Sequence, residues 1–325
     1  IGEKYNIVMN MTGSESRMSG NYYYTKYGEP ISFSYSSKID ALGKFVIEEE
    51  SLTDDDKNRG IFRGSFIDEH TISGFWKKSS SNDSLKFRLT ETYTDGAVKC
   101  VMKYFHKEVD SVVSISFEYP ELKAADNINK TINKELLGKE NKTIIHTKDF
   151  DEAMIAYVQR YKKEVLEDTL YGEYKPPYFS ETSLKIFFNT GSILSLEGFG
   201  YVFEGGAHGN YFYNYSNFDL KTGNQIQYAD IFREDHKAEL NNVGEKIFRE
   251  RFKVDPNQSL AEQGWFGFEN GFYVSDNFAI CKGGLLIRYN PYEAGAYALG
   301  APSIFIPYKE IKNILKEKSV LERIF

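Results

Sequence analysis

Apolar residues in the first part of the chain alternate with polar ones in short bursts, and the bursts recur at intervals of about ten residues. Tyr22–Tyr24, Ile31–Tyr35, Phe45–Ile47, Ile61–Phe66, Thr71–Trp76 and Leu85–Leu89 each read as a strand with one buried face. Turn residues separate them at Tyr27-Gly28, Leu42-Gly43, Asn58 to Gly60 and Ser79 to Asp83. A weak repeat of glycine beside aromatic residues runs through Gly20, Gly60 and Gly74. Even strand spacing with no helical-period segment predicts an all-β meander, either a small barrel or a curled sheet.

The pattern changes after the polar stretch Thr90 to Gly96, which ends in an Asp-Gly turn. A domain boundary is expected there, with an all-β unit over 1–95 and an α+β unit over 96–325. Val98–Phe105 and Ser111–Tyr119 read as strands. Apolar residues then step by three and four through Ala125, Ile128, Ile132 and Leu136, which predicts a helix over 121–138 that stops at Gly138. Asp149 and Glu152 form a capping box for a second helix with the stripe Met154, Val158, Tyr161 and Val165. A β region follows from Ser183 to Phe218, then a third helix, Asp235–Phe252, with Leu240, Val243 and Ile247 facing inward. Strands are predicted over Ile280–Tyr289 and Ser303–Ile306, and Pro307 opens a short helix carrying Ile311, Ile314 and Leu315. Helices grouped between strand runs predict an α+β fold of mainly antiparallel strands and disfavour a doubly wound parallel sheet.

At 325 residues the chain exceeds what one core organises, since single cores stop growing near about 250–300 residues. A net charge of −7 argues against a nucleic-acid partner, which needs a basic face. No run of about 18 apolar residues is present to span a membrane. The chain opens at Ile1 without a charged and apolar leader, and the expectation is an exported protein or lipoprotein with that leader removed. Cys100 and Cys281 lie in strand-like runs outside any metal spacing; buried free thiols are the first expectation and a disulfide the alternative.

The least generic stretch runs from Ser192 to Asn210, where Gly205, Gly206 and Gly209 surround His208 just after Glu204. Glycines this dense predict backbone that a Cβ would forbid. His208 could sit beside a nest of amides as a ligand-binding group, or its ring could satisfy carbonyls and fix the hairpin's register. A second patch is Asn290 to Tyr297, where Tyr292, Glu293 and Tyr297 offer hydroxyls and a carboxylate suited to sugars or peptide backbone. Glu204 and Glu293 together resemble the paired acids of a glycosidase only in type, because the sequence does not give their separation. The five histidines are His70, His106, His146, His208 and His236; with no H-E-x-x-H or Asp-rich loop, no metal or cofactor is expected. No G-x-S-x-G elbow or phosphate-binding loop occurs, and Gly198-Phe-Gly200 sits between strands.

Several stretches also resemble a known bacterial family. Ser114-Ile-Ser-Phe-Glu-Tyr-Pro-Glu-Leu followed by Asn127 to Asn133 looks like the strand-to-helix entry of an extracytoplasmic module. Tyr201 to Asn210, Asn217 to Gly223 before Tyr228 to Phe232, and Arg288 to Gly300 before Ile304 to Tyr308 resemble the C-terminal domain of unknown function paired with it. This pairing is shared by RsiV-type lysozyme-sensing anti-sigma factors and PdaC-type peptidoglycan deacetylases. The resemblance covers roughly residues 110–310 and leaves the N-terminal β unit outside. It implies a location in the periplasm or at the cell surface, but no single chemistry. The catalytic domain of the deacetylases and the membrane helix of the anti-sigma factors have no counterpart in these residues. The reading is therefore a non-enzymatic binding module with no catalytic residues, recognising a lysozyme-like protein or peptidoglycan. Its candidate contacts are Glu204, Gly205, Gly206, His208, Tyr292, Glu293 and Tyr297. The alternatives are an enzyme acting on envelope polysaccharide through His208 and nearby carboxylates, and a purely structural scaffold.

Overall fold

The computed structural model describes residues 1–2, 4–14, 16–50, 59–109, 113–126, 128–129, 177–204 and 207–325, with scattered helical positions between 152 and 163. An eight-stranded antiparallel sheet comes first: β1 (Ile7–Ser14), β2 (Arg17–Tyr24), β3 (Ile31–Ser32), β4 (Lys38–Ile39), β5 (Lys44–Glu48), β6 (Gly60–Asp68), β7 (Thr71–Lys78) and β8 (Leu85–Thr90). Its curl follows from its inner face, where Tyr22, Phe45, Ile47, Phe62 and Phe87 converge in one cluster. The glycine repeat has a geometric cause. Gly64 and Gly74 are direct partners across β6 and β7, and a Cβ on Gly74 would meet the Arg63 carbonyl oxygen at 2.0 Å. β1 is an addition to the expected strands; its Ile7, Met9 and Met11 share one face, opposite Val8, Asn10 and Thr12.

The second sheet has the order β13-β12-β11-β10-β9, formed by β9 (Cys100–Val109), β10 (Val113–Leu122), β11 (Tyr178–Thr190), β12 (Ile193–Phe203) and β13 (Asn210–Asp219). Only β10 and β11 run parallel within it, and the connection between them holds both predicted helices. Of those helices, Ile132, Leu136 and Gly138, and Asp149, Met154, Tyr161 and Val165, lie outside the described residues. Ile128 and Val158 are helical and buried against this sheet. The third sheet, β14 (Phe278–Ile280), β15 (Gly284–Arg288) and β16 (Ser303–Pro307), packs with α2 (Lys237–Phe252), which follows the one-turn α1 (Tyr228–Ile231). Leu240 and Phe248 of α2 join Trp265, Tyr289 and Ile304 in the largest core.

Two expectations need correction here. The strand predicted over Ile280–Tyr289 is a hairpin, turned at Lys282-Gly283, with Cys281 N–H donating to the Gly284 carbonyl at 3.0 Å. Gly283 is required there by proximity, because its Cβ would lie 2.2 Å from the Tyr27 carbonyl oxygen. The helix expected after Pro307 is two separate 3-10 turns, Tyr308–Glu310 and Lys312–Ile314, between which Ile311 leaves helical geometry.

A β-bulge joins the first two sheets. Register shifts between Ile186 and Phe188, which takes the Phe187 carbonyl out of the β11–β12 ladder. Asn10 and Asn21, on β1 and β2, donate their amides to that carbonyl at 3.0 and 2.9 Å. Phe188 then turns toward Tyr23, with ring centroids 6.4 Å apart.

Candidate functional site

The hairpin of β12 and β13 carries His208 at its far end. Gly205 and Gly206 lie outside the described residues. Gly209 is not in the left-handed region; it is glycine because a Cβ would sit 2.3 Å from the Tyr201 hydroxyl oxygen. The His208 ring is exposed, with Nδ1 2.9 Å from the Gly209 carbonyl oxygen, and it stacks on Tyr297 at 4.4 Å between centroids. The Tyr297 hydroxyl donates to the same carbonyl at 2.8 Å. Tyr211 and Tyr292 lie 5.7 and 5.6 Å from Tyr297, so His208, Tyr292 and Tyr297 come together in an aromatic shelf to which Tyr211 is added.

The two acids do not share that shelf's chemistry. Glu293 accepts from the Asn290 amide N–H at 2.8 Å, the Ser275 hydroxyl at 2.9 Å and the Tyr273 hydroxyl at 3.3 Å. Its carboxylate therefore staples the loop that presents Tyr292 and Tyr297. Glu204 lies exposed beyond the end of β12 and is not among the partners of Glu293.

Asparagine side chains hold the third sheet against β13, the edge strand of the second. Asn290 accepts from Tyr213 N–H at 2.7 Å and donates to the Tyr213 carbonyl at 3.1 Å. Asn277 accepts from Tyr215 N–H at 2.8 Å and donates to that same carbonyl at 2.9 Å. Asn217, itself on β13, accepts from Ile280 N–H at 2.9 Å and donates to the Phe278 carbonyl at 2.8 Å. These amides copy strand pairing, and they bring the end of β15 under β13.

The residue that this junction delivers is Arg288, only 8% exposed, whose guanidinium carbon lies 4.0 Å from the Tyr213 ring centroid. It lines a cleft of about 760 Å³ between the first sheet and one face of the second. Side chains two apart share a strand face, and the register aligns them in rows. Ser183, Phe199 and Tyr213 form one row across β11, β12 and β13; Lys185, Glu197 and Tyr215 form the next; Glu181, Tyr201 and Tyr211 flank it on the other side. Arg17, Tyr35 and Glu50 close the cleft from the first sheet. Burial disfavours the charge on Arg288, but Tyr215, Glu197, Tyr213 and Glu50 outweigh it and raise its pKa, so the cation persists. Burial pushes the Tyr213 hydroxyl up to about 12, against the pull of Arg288. The aromatic rings are continuous with the shelf: Phe199 lies 5.2 Å from Tyr213 and 6.3 Å from Tyr211, which reaches Tyr297. No catalytic or binding motif marked this face; its signals were a lone arginine in the apolar run Gly284–Arg288 and the place of Arg288 at the head of a stretch with a family resemblance.

Comparison with known proteins fits this architecture. Residues 106–211 match the model of Deacetylase PdaC, and residues 229–309 match that of a protein of unknown function, DUF3298. The peptidoglycan-N-acetylmuramic acid deacetylase PdaC of Bacillus subtilis is 25% identical over 248 residues, which is 69% of this chain and 50% of that protein. The chain thus spans half the length of that curated relative. A crystal structure of a DUF3298 family member from Bacteroides fragilis superposes with a TM-score of 0.59 at 21% identity, covering 70% of this chain and 96% of that one. Another, from Pseudomonas aeruginosa, gives 0.51 at 15% identity, with 69% and 96% covered. At these identities the two structures establish a common fold. Along the chain, the PdaC match falls on the second sheet and the DUF3298 match on α1, α2 and the third sheet.

Proposed function

We propose that this chain is a non-enzymatic binding module of the bacterial cell envelope that holds wall glycan along its aromatic run. The observation that carries this reading is the continuity of rings from Phe199 and Tyr213 in the cleft, through Tyr211, to the shelf of Tyr297, His208 and Tyr292. Aromatic faces take the C–H faces of sugar rings, while carboxylates and hydroxyls placed beside them accept and donate to sugar hydroxyls. Glu181 and Glu197 stand among the rings in that role. The named activity of the Bacillus subtilis relative, on peptidoglycan, supports both the ligand class and an exported location.

The test is retention on purified peptidoglycan sacculi, with lysozyme offered in parallel. Wild-type protein is retained, and Tyr297→Ala weakens retention several-fold without loss of fold. Capture of lysozyme without retention on sacculi overturns the glycan reading. Release of acetate from peptidoglycan that disappears in a folded His208→Ala variant overturns the non-enzymatic one.

A further inference from the structure

Two buried polar atoms lining the cleft have no hydrogen-bond partner among the described residues: Nε of Arg288 and Oγ of Ser183. Buried polar groups in folded proteins are almost always satisfied, so two orphans in one cleft call for a partner that arrives from outside. They also belong to one row. Ser183 faces Phe199, Phe199 faces Tyr213, and the guanidinium rests on the Tyr213 ring.

Arg288 forms no ion pair among the described residues, although Glu197 and Glu50 favour its charge from a distance. The nearby acid Glu197 accepts from the Tyr215 hydroxyl at 2.7 Å and forms no ion pair with the arginine. A buried cation with no direct counter-ion among the described residues is costly, and the planar guanidinium fork matches a carboxylate. The lining also limits what that carboxylate belongs to. Glu50, Glu118, Glu181 and Glu197 line the cleft with Arg17 and Lys185, and Arg17 lies 3.7 Å from Glu181, so acids outnumber bases and an occupant with several negative charges is disfavoured. Those acids accept hydrogen bonds, so an occupant that brings hydroxyl donors with its single negative charge is favoured. Phe199, and the 77% exposed Tyr35 on the opposite wall, supply flat apolar faces.

From this arrangement we infer that the row Ser183–Phe199–Tyr213, with Arg288 at its end, is a subsite for the carboxylate of a sugar acid. The inference rests on the glycan reading above and narrows it to acidic saccharides. It also gives the first sheet a role, as the second wall of the subsite.

The test titrates the full chain with methyl glucuronide, methyl glucoside and N-acetyl-alanyl-alanine, by calorimetry and by following the Arg Nε–H resonances. The glucuronide should bind at least about tenfold tighter than the glucoside, as expected for a charge-assisted fork, and should shift the Arg288 Nε–H signal in the wild-type protein. Arg288→Gln should bring the glucuronide to the level of the glucoside. Arg288→Lys, which keeps the charge and loses the fork, should recover only part of the difference. If the substitutions lower the melting temperature, the wild-type resonance shift still decides the question. Equal binding of glucuronide and glucoside, no shift at Arg288, or a preference for the dipeptide overturns the inference. Wild-type retention on sacculi alongside any of those results leaves the proposed function standing, and absence of retention is the separate failure of that reading.

Discussion

Asp219 and Arg323 meet in a two-point ion pair, with Nη1 and Nη2 donating to Oδ1 and Oδ2 at 2.7 and 2.8 Å. The pair ties the end of β13 to the 3-10 turn Val320–Arg323. The hydrogen bonds from Arg323 hold the Asp219 carboxyl below its usual 3.8. A depressed carboxyl stabilises the fold above its ordinary pKa, and the effect disappears as pH falls through the folded value. Arg323→Ala should therefore cost about 1–2 kcal/mol at pH 7 and progressively less as pH falls from 3.8 through the lowered value, measured by urea unfolding across that range.

Gly209→Ala should destabilise by overpacking, by about 1–3 kcal/mol, because the added Cβ meets the Tyr201 hydroxyl and ring at 2.3 to 2.7 Å. If proximity is the cause, Tyr201→Ala in the same chain relieves most of the penalty. Equal costs in both backgrounds, read from melting curves, would locate the strain in the backbone instead.

Asn217 is 3% exposed and serves Ser195, Phe278 and Ile280 with one amide. Asn217→Leu should cost about 3 kcal/mol or more, since several buried groups lose partners at once. Hydrogen exchange at the Ile280 amide should accelerate ahead of that of the second sheet.

The thiols should be sluggish. Cys100 and Cys281 are both free; burial pushes Cys100 up to about 11 and Cys281 higher still. With a thiolate fraction of about a thousandth for Cys100 at pH 8, alkylation of the native protein should be slow and rise with pH. Cys100 should react before the fully buried Cys281.

Tyr297 and Glu293 should separate cleanly by assay. Glu293→Ala frees three donors and should lower stability by about 1–3 kcal/mol, while Tyr297→Ala acts chiefly on retention by sacculi. A Tyr297→Ala variant as well retained as the wild type would remove the shelf from the binding surface.

The first sheet was largely legible because its strands obey the two-residue period and its glycines mark real collisions. β1 escaped notice because methionine and asparagine are weak strand signals, even when Ile7, Met9 and Met11 alternate. The β14–β15 turn was hidden inside one apolar run, since Lys282-Gly283 interrupts it without any polar cluster. His208, Tyr292 and Tyr297 were found as two patches, and only tertiary packing made them one. Arg288 was read as part of a family motif. Its burial depends on three asparagines up to 71 positions away in sequence, Asn217, Asn277 and Asn290, a relation that no local window contains.

Those asparagines have a consequence for how the molecule behaves in a crowd. A sheet edge is a template on which a neighbouring copy can lay its own backbone. Along β13 the main-chain groups of Tyr213 and Tyr215 are already engaged by amide side chains from the same chain, which act as a sixth strand that ends after two rungs. The edge closest to the proposed ligand surface is thereby insulated against fibre growth. At high local concentration the chain can leave its aromatic face open there without offering its backbone to its neighbours.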